Sequence, residues 1–258
     1  MEIQLFMTAD KAQGKIDESF SAIVIDVLRA TSVIATAIDN GADRIKAFLE
    51  IEETKDYKAQ NSDLPVLLCG ERKGLYIEGF DLSNSPREYT KQAVEGKIIA
   101  MTTTNGTKSI TYAKPAKELY TMSFLNLRAV CNEIKPDCER LALICSGTNG
   151  YFSIDDFLCA GKAIEKLCQT YDCKLDNGAY LAKNFYEQNK NNIRGVIEES
   201  AAFKLLVNAG LAPDIDFCLQ NDIFTCVPVY KDGFIVEKHN PQRRKNSRYM
   251  STLPLMFL

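Results

Sequence analysis

The sequence predicts an α/β fold, with a mostly parallel or mixed sheet, flanking helices and repeated strand–turn–helix units. Three segments support this prediction, because each reads as an apolar run, a short polar turn and then a helical stretch. They span residues 22–37 (AIVIDVLRATSVIATA), 97–113 (KIIAMTTTNGTKSITYA) and 141–166 (LALICSGTNGYFSIDDFLCAGKAIEK). Repeated units of this kind are typical of sheets whose parallel strands are buried on both faces.

The second and third units resemble each other in their turns, TTNGT and SGTNG. This likeness raises the hypothesis of an internal duplication, with two similar lobes that divide near residues 114–122. The length of 258 residues fits one large α/β domain, and no Gly/Ser linker or low-complexity tract separates its parts. We therefore expect a single α/β domain over residues 1–258.

The segments between the units predict further elements. Residues 51–60 indicate a charged surface helix, residues 65–69 (PVLLC) a short buried strand, and residues 200–211 another helix. That second helix ends at a glycine, which favours the left-handed conformation that closes helices. Residues 225–237 predict a hairpin around Asp232-Gly233, a pair that suits a tight turn.

Composition excludes several classes of function. The chain has 31 basic and 34 acidic residues and a net charge of -3, which gives no support to a nucleic-acid partner. It has one histidine and nine cysteines without a C-x-x-C pair, so His-rich zinc sites and thioredoxin-like motifs are not expected. No apolar run approaches the roughly 18 residues of a membrane span, and the N-terminus lacks a secretory signal. We expect a cytoplasmic protein with reduced thiols.

The first unit places polar side chains where its strand ends. Asp26 follows the apolar run directly, and Arg29, Thr31 and Ser32 come where the helix begins. Open α/β sheets bind ligands outside the carboxyl ends of their strands. A carboxylate there can hold a divalent cation, and an arginine can bind a phosphate or carboxylate through two donors. The alternative is that Asp26 caps the helix and Arg29 belongs to a surface ion pair.

The turns of the second and third units combine hydroxyl groups with flexible backbone just before a helix. Free N–H groups and the helix dipole favour an anion at such a place. The alternative is a plain capped turn, since Ser, Thr and Asn are preferred caps. The candidate substrate-binding residues of the two turns are Thr103, Thr104, Asn105, Gly106 and Thr107, followed by Ser146, Gly147 and Thr148.

Carboxylates elsewhere in the chain add candidate metal ligands. Residues 70–88 (GERKGLYIEGFDLSNSPRE) form a long irregular segment, and such segments in compact domains are usually functional. Glu71 and Asp81 lie in this segment, and the pair Asp155-Asp156 follows the third turn. Carboxylate oxygens suit Mg²⁺. The alternatives are an ordinary polar loop and an aspartate pair of which one member caps its helix or faces solvent.

Five blocks of the sequence resemble the 2-phosphosulfolactate phosphatase family in the same order along the chain. The resemblance covers about residues 20–237 and implies a Mg²⁺-dependent acid phosphatase with a fold of its own. It also implies hydrolysis of (R)-2-phospho-3-sulfolactate to 3-sulfolactate and phosphate, a step of coenzyme M biosynthesis. The blocks are VIDVLRATS (24–32), GERKGLYIEGFDLSNSP (70–86), TTTNGT (102–107), CSGTNGYFSIDDFLCAG (145–161) and VPVYKDGFIV (227–236).

Together, the residues and the resemblance give an expected site. Asp26 and Arg29 are the expected catalytic residues, and Asp26, Glu71 and Asp81 are the first choices for binding Mg²⁺, with Asp155 behind them. The two small-residue turns, together with Arg29, Thr31 and Ser32, would share the binding of a small anionic phosphorylated acid. The sequence leaves open whether Asp26 binds the metal or attacks phosphorus.

Two other functions stay open at this stage. One is a phosphatase for other 2-phospho-hydroxycarboxylic acids, because a site can change its substrate through few residues. The other is a non-catalytic protein that binds a phosphorylated acid. The chain ends in the apolar sequence STLPLMFL after a basic segment, and it is a candidate homodimer because twofold dimers are the commonest oligomers.

Overall fold

A computed structural model describes residues 1–239 of the protein. The expected basic segment and apolar C-terminus lie outside these residues, so the homodimer stays a prediction. The strands of the described part are, in chain order, β1 (Glu2–Phe6), β2 (Ser21–Ile25), β3 (Arg44–Phe48), β4 (Val66–Gly70), β5 (Ile98–Thr102), β6 (Glu118–Met122), β7 (Arg140–Cys145), β8 (Lys174–Leu175), β9 (Pro228–Lys231) and β10 (Phe234–Glu237).

The helices flank these strands and, in the three units, follow them as the sequence predicts. One turn of 3₁₀ helix (Pro86–Glu88) interrupts the irregular segment. The α-helices of the described part are α1 (Ala9–Ala12), α2 (Ala30–Asp39), α3 (Ile51–Gln60), α4 (Lys91–Val94), α5 (Gly106–Ala113), α6 (Leu127–Glu133), α7 (Ile154–Thr170), α8 (Asn177–Asn189), α9 (Ile193–Glu198), α10 (Ala201–Asn208) and α11 (Ala212–Cys218). None of them is long and apolar enough to cross a membrane.

The described strands form one sheet in the order β4-β5-β3-β10-β9-β6-β2-β7-β1-β8. The three strands β4, β5 and β3 are parallel to one another. The five strands β6, β2, β7, β1 and β8 are also parallel to one another. The predicted hairpin β9–β10 joins these two parallel groups through antiparallel pairs on both sides. The predicted α/β class with a mostly parallel, mixed sheet is therefore confirmed.

The internal duplication is not confirmed. One parallel group has three strands and the other has five, and their orders do not repeat. The lobe boundary expected near residues 114–122 falls on β6, which pairs with β2 along its whole length. The two halves of the chain therefore share one continuous sheet.

Both faces of the sheet are apolar, as the unbroken β-branched runs predict. β2 shows this best, because every residue in it is buried. Ala22 and Val24 pack on one face with α2 and α5, while Ile23 and Ile25 pack on the other face with α6, α7 and α8. This alternation follows from the two-residue period of a strand. α3 covers the second face of the three-stranded group.

The twist of the sheet brings distant strand ends together. Because the two parallel groups run in opposite directions across the hairpin, a flat sheet would place the ends of β2 and β5 at opposite edges. Five strand-to-strand steps separate them, and at about 20–25° a step these rotate β5 by about 100–125° relative to β2. α5 packs against β2 and β7 of the larger group and against β3 of the smaller, and its start lies against the start of α2, at the end of β2.

Candidate active site

A cavity of about 350 Å³ opens where these strand ends meet. Its polar wall comes from the turns after β2, β4, β5 and β7, and its apolar wall comes mainly from α10. The lining residues are Asp26, Leu28, Arg29, Glu71, Lys73, Gly74, Asn84, Thr103, Thr104, Asn105, Thr148, Asn149, Ala202, Leu205 and Leu206.

Asp26 is a nearly buried carboxylate at the inner end of the cavity, with 7% of its surface exposed. Its Oδ1 accepts a hydrogen bond of 3.0 Å from the backbone N–H of Ala30, so the alternative that it caps α2 is true of the structure as well. The pKa of Asp26 is raised to about 7, mainly by burial and also by the negative charges of Asp155 and Glu71, against the opposing effect of the Ala30 N–H. The fold therefore holds the Asp26 carboxyl group where its negatively charged form is unfavourable.

Gly106 allows α5 to approach this carboxylate. A Cβ atom on Gly106 would lie 2.4 Å from the Cβ of Ala30 and 2.8 Å from Oδ2 of Asp26. Both distances are shorter than real contacts allow. The glycine of the second turn therefore serves close packing behind Asp26, and it is not among the cavity-lining residues.

The small-residue turns are fixed to each other by hydrogen bonds. Oδ1 of Asn105 accepts from the N–H of Asn149 at 3.1 Å, and the Ser109 hydroxyl donates to that of Ser146 at 2.7 Å. Thr107 is used within its own turn, since its N–H donates to Oγ1 of Thr103. The similar chemistry of the turns therefore joins them into one wall.

The structure brings seven of the predicted site residues to the cavity. These are Asp26, Arg29, Glu71, Thr103, Thr104, Asn105 and Thr148. Thr31 and Ser32 are fully buried and donate to backbone carbonyls of their own turn, at 2.8 Å each. Together with Gly106, Thr107, Ser146 and Gly147, they support the wall without lining it.

Arg29 is buried and takes part in an internal ion pair, so the surface ion pair weighed as its alternative is wrong. Its Nη1 lies 2.6 Å from Oδ2 of Asp214, with 4% of Arg29 and 1% of Asp214 exposed. The other oxygen of Asp214 accepts from the Ser85 hydroxyl at 2.7 Å. Asp214 therefore ties the turn after β2 to α11 and to the irregular segment.

The aspartate pair Asp155-Asp156 is buried, so the alternative that one member faces solvent is wrong. The two oxygens of Asp156 accept from the N–H groups of Val27, at 2.8 Å, and Gly147, at 3.0 Å. Burial raises the pKa of both aspartates, and for Asp156 the charges of Asp155 and Asp26 add to the effect. Asp156 thereby connects the turns after β2 and β7.

The two carboxylates of the irregular segment have different surroundings. Oε1 of Glu71 accepts from the N–H of Thr104 and Oε2 from the N–H of Gly74, both at 2.6 Å. Asp81 is partly exposed, pairs with Lys58 at 2.7 Å and accepts from the N–H of Leu68 at 2.7 Å. Glu71 lines the cavity, and Asp81 does not.

Sequence reasoning missed several residues of this site. Asp156 follows the third turn just as Asp155 does, and only the fold shows that Asp156 is the one that connects the turns after β2 and β7. Asp214 reads as an ordinary acidic residue in the first turn of a helix, and its partner Arg29 is 185 positions away. The apolar face of α10 reads as core. Asn84 and Lys73 lie in the predicted irregular segment but carry no motif of their own.

The donor set fits a magnesium ion that takes few protein ligands. No group of three His, Cys, Asp or Glu side chains that could hold a metal occurs within residues 1–239. Mg²⁺ is usually bound through one or two carboxylates, with water and substrate phosphate completing its octahedron. Asp26 lines the cavity, and the negative charge of the buried Asp155 raises its pKa. Asp155 itself does not line the cavity, and its carboxylate interacts with the Ser153 hydroxyl and with backbone N–H groups. A cation beside Asp26 would offset the repulsion between these two carboxylates.

Fold and cavity together define an α/β protein whose strand ends surround a cavity lined by N–H and hydroxyl groups beside buried carboxylates. A family model described as 2-phosphosulpholactate phosphatase matches residues 6–233. A protein of Clostridium beijerinckii named "Probable 2-phosphosulfolactate phosphatase" is 40% identical over 91% of this chain and 99% of its own length. One of Thermotoga maritima with the same name is 41% identical over 87% and 95%. The chain belongs to the 2-phosphosulpholactate phosphatase family, a family of phosphoric monoester hydrolases.

Proposed function

We propose that the protein hydrolyses the phosphate ester of (R)-2-phospho-3-sulfolactate, releasing 3-sulfolactate and phosphate, with Mg²⁺ as cofactor. The family and the names of its relatives support the reaction. The observation that carries the proposal is a carboxylate, Asp26, buried beside Asp155 at the end of β2 and facing a cavity lined with oxyanion donors. The resemblance to the family implies that this reaction is a step of coenzyme M biosynthesis.

Asp26 would hold the Mg²⁺ at the cavity, with Glu71 the other carboxylate of the lining and the buried Asp155 behind them. When bound, Mg²⁺ supplies charge neutralisation at the phosphoryl oxygens as the ester bond breaks. We assign no part to Asp81, because its partners are Lys58 and the β4 backbone. Whether Asp26 also attacks phosphorus is a question for the phosphoenzyme experiment below.

The protein groups would bind and orient the phosphate. The amide nitrogen of Asn105 and the nitrogens of Arg29 other than Nη1 make no hydrogen bond within residues 1–239, so both residues keep donors for a ligand. Thr103 accepts from Thr107 through its hydroxyl oxygen and still has a proton to donate. Phosphoryl transfer depends mostly on positioning and electrostatic stabilisation, which is what such a set of fixed donors supplies.

The cell compartment is part of the proposal. All nine cysteines are free thiols, which supports a reducing compartment such as the cytoplasm. The proposed substrate carries phosphate, carboxylate and sulfonate groups, so it is strongly anionic and matches a cavity lined by Arg29 and Lys73.

Phosphate release from 2-phosphosulfolactate tests the function directly. We expect release that needs Mg²⁺, stops with EDTA, and falls at least about 100-fold in Asp26→Asn, since loss of a group acting on the reacting atoms costs that much or more. Asp81→Asn is the matched control and should keep its rate. Unchanged release by Asp26→Asn would contradict the assignment of Asp26.

The substrate class is tested with the same assay. Faster turnover of phospholactate or phosphoglycolate than of phosphosulfolactate would favour the wider class of 2-phospho acids. A labelled aspartyl phosphate trapped after acid quench would show that Asp26 attacks phosphorus. No release from any phospho acid would overturn the phosphatase and leave a binding protein.

A further inference from the structure

We propose that Asn84 is a specificity-determining residue, whose amide binds the acid group of the substrate that is not hydrolysed. The proposal rests on the proposed function, since it concerns the same cavity. The acid group is the carboxylate or the sulfonate, both of which present oxygen acceptors to an N–H donor.

The amide of Asn84 is buried and unsatisfied. The residue is 5% exposed and lines the cavity, yet its amide oxygen has no hydrogen-bond partner, and its nitrogen donates to no atom of residues 1–239. Buried polar side chains nearly always have a partner, because leaving one unpaired is costly. The oxygen is the buried end of this amide, so a bound anion would accept from its NH₂ group, which no atom of residues 1–239 uses.

The structure holds Asn84 in place without using its side chain. The next residue, Ser85, donates its hydroxyl to the buried Asp214, and its N–H donates to the hydroxyl of Ser83. Pro86 then begins the turn of 3₁₀ helix. The backbone on one side of Asn84 is therefore fixed, and a ligand would find the amide already positioned.

Charged groups of both signs lie around the cavity that Asn84 lines. Asp214 is shared by two arginines, Arg29 at 2.6 Å and Arg87 at 3.9 Å, so this group of three carries a net charge of +1. Arg29 lines the same cavity as Asn84, and so do the carboxylates of Asp26 and Glu71. The arginine group therefore favours an anion on the Asn84 amide, and the two carboxylates oppose it.

The phosphate has a different place in the same cavity. Asp26, Asn105 and Thr148 come from the ends of β2, β5 and β7, whereas Asn84 comes from the irregular segment after β4. α10 adds apolar side chains, including those of Leu205 and Leu206. This arrangement fits a short carbon chain with an acid group at each end of the cavity.

Binding of 3-sulfolactate, measured by calorimetry on the full chain, tests the proposal without turnover. Asn84→Leu should weaken binding and raise the Kd by about 10- to 100-fold, as expected for a lost hydrogen bond to a charged group. Asn84→Asp should weaken it at least as much, because it adds a negative charge. Lactate and 2-hydroxyethanesulfonate, each with one of the two acid groups, show which group Asn84 contacts.

Thermal stability separates a ligand-binding role from a structural one. Asn84→Leu removes an unsatisfied polar group, so its melting temperature should equal or exceed that of the wild type. The matched control is Asn40→Leu, whose amide donates to the carbonyl of Tyr89 at 2.7 Å. That variant should lose stability and keep the wild-type Kd for 3-sulfolactate.

A Kd that is unchanged in Asn84→Leu would overturn the proposal, even if phosphate release from phosphosulfolactate confirms the function. A melting temperature that falls as far as in Asn40→Leu, with an unchanged Kd, would do the same. Binding of 3-sulfolactate that depends on Asn84 in a protein that releases no phosphate would overturn the function and leave the Asn84 assignment intact.

Discussion

Asp26 shows a conflict between stability and function within one residue. Its carboxylate is buried beside Asp155 and Glu71, and burial together with these charges raises its pKa to about 7. No basic side chain of residues 1–239 forms an ion pair with it, because Arg29 is paired with Asp214. A fold selected for stability alone would not place a carboxylate here.

Asp26→Asn should therefore stabilise the metal-free protein while abolishing its activity. The amide oxygen can still accept from the N–H of Ala30, and the buried negative charge is gone. We expect the free energy of unfolding in EDTA at neutral pH to rise by about 1–3 kcal/mol, as measured by urea denaturation.

Asp63→Asn is the control for this measurement, because Asp63 is exposed and surface substitutions change stability by less than about 0.5 kcal/mol. A metal-free Asp26→Asn protein that is less stable than the wild type would contradict the argument. It would mean that the charge on Asp26 strengthens the hydrogen bond from the Ala30 N–H by more than burying that charge costs.

At this scale the sequence predicted those site residues whose position relative to a strand end is local. Asp26 and Arg29 line the cavity because both follow β2 directly. Asp214 and Asn84 could not be predicted in the same way, since their importance depends on partners, or on missing partners, far along the chain. Thr31 and Ser32 show the reverse error, because their hydroxyls satisfy the backbone of their own turn.

Among the elements, the contact between α2 and α5 determines the shape of the site. Each helix begins at the end of a strand, and the two starts meet at Gly106 and Ala30. Since a Cβ atom at Gly106 would come within 2.8 Å of Asp26, this contact also sets the position of the carboxylate. Close packing of the two helices here is thus coupled to the position of the Asp26 carboxylate.

Gly106→Ala should damage both stability and activity. Overpacking of this kind forces backbone shifts that typically cost about 1–3 kcal/mol, and α5 can relieve the contact only by moving away from Asp26. We expect a lower free energy of unfolding and a drop in kcat for phosphate release of at least 10-fold, which follows if Asp26 moves by a fraction of an ångström.

Gly178→Ala is the matched control. Its new Cβ would lie 3.3 Å from the carbonyl oxygen of Leu5, a tight contact but a much longer one than those at Gly106. Gly178 lies in helix α8, where alanine is favoured over glycine by up to about 1 kcal/mol, which offsets that contact. It should leave stability and kcat close to those of the wild type. A Gly106→Ala variant as active as the Gly178→Ala variant would show that the α2–α5 contact does not position Asp26.

The elements themselves were largely predictable, and their arrangement was not. The helix over residues 51–60 and the hairpin around Asp232-Gly233 form as the local patterns indicate. The meeting of α2 and α5 depends on how strands of both parallel groups come to pack on α5, which no local pattern contains. The likeness of TTNGT and SGTNG suggested an internal duplication, but the strand order shows no repeat. Short turns with Ser, Thr or Asn caps occur at any junction between a strand and a helix, so their likeness does not imply a common origin.

For the whole molecule, the β9–β10 hairpin is what makes one sheet from two parallel groups. Ile235 lies at its centre, pairing with Ile45 of β3 on one side and Tyr230 of β9 on the other, with 1% of its surface exposed. It packs in the same apolar cluster as α2 and α5. The site depends on both groups, since Asp26 follows a strand of the larger group and Glu71 a strand of the smaller.

If the hairpin couples the groups, Ile235→Ala should destabilise both of them equally. A buried isoleucine truncated to alanine costs about 2–5 kcal/mol, and we expect urea unfolding to remain a single transition. Hydrogen exchange of the most protected amides in β2 and in β5 should accelerate by the same factor, because both would open only by global unfolding. Lys231→Ala, at an exposed position of the same hairpin, should leave both rates unchanged. Acceleration confined to β5 would mean that the smaller group unfolds by itself, which is the behaviour expected of two separate lobes.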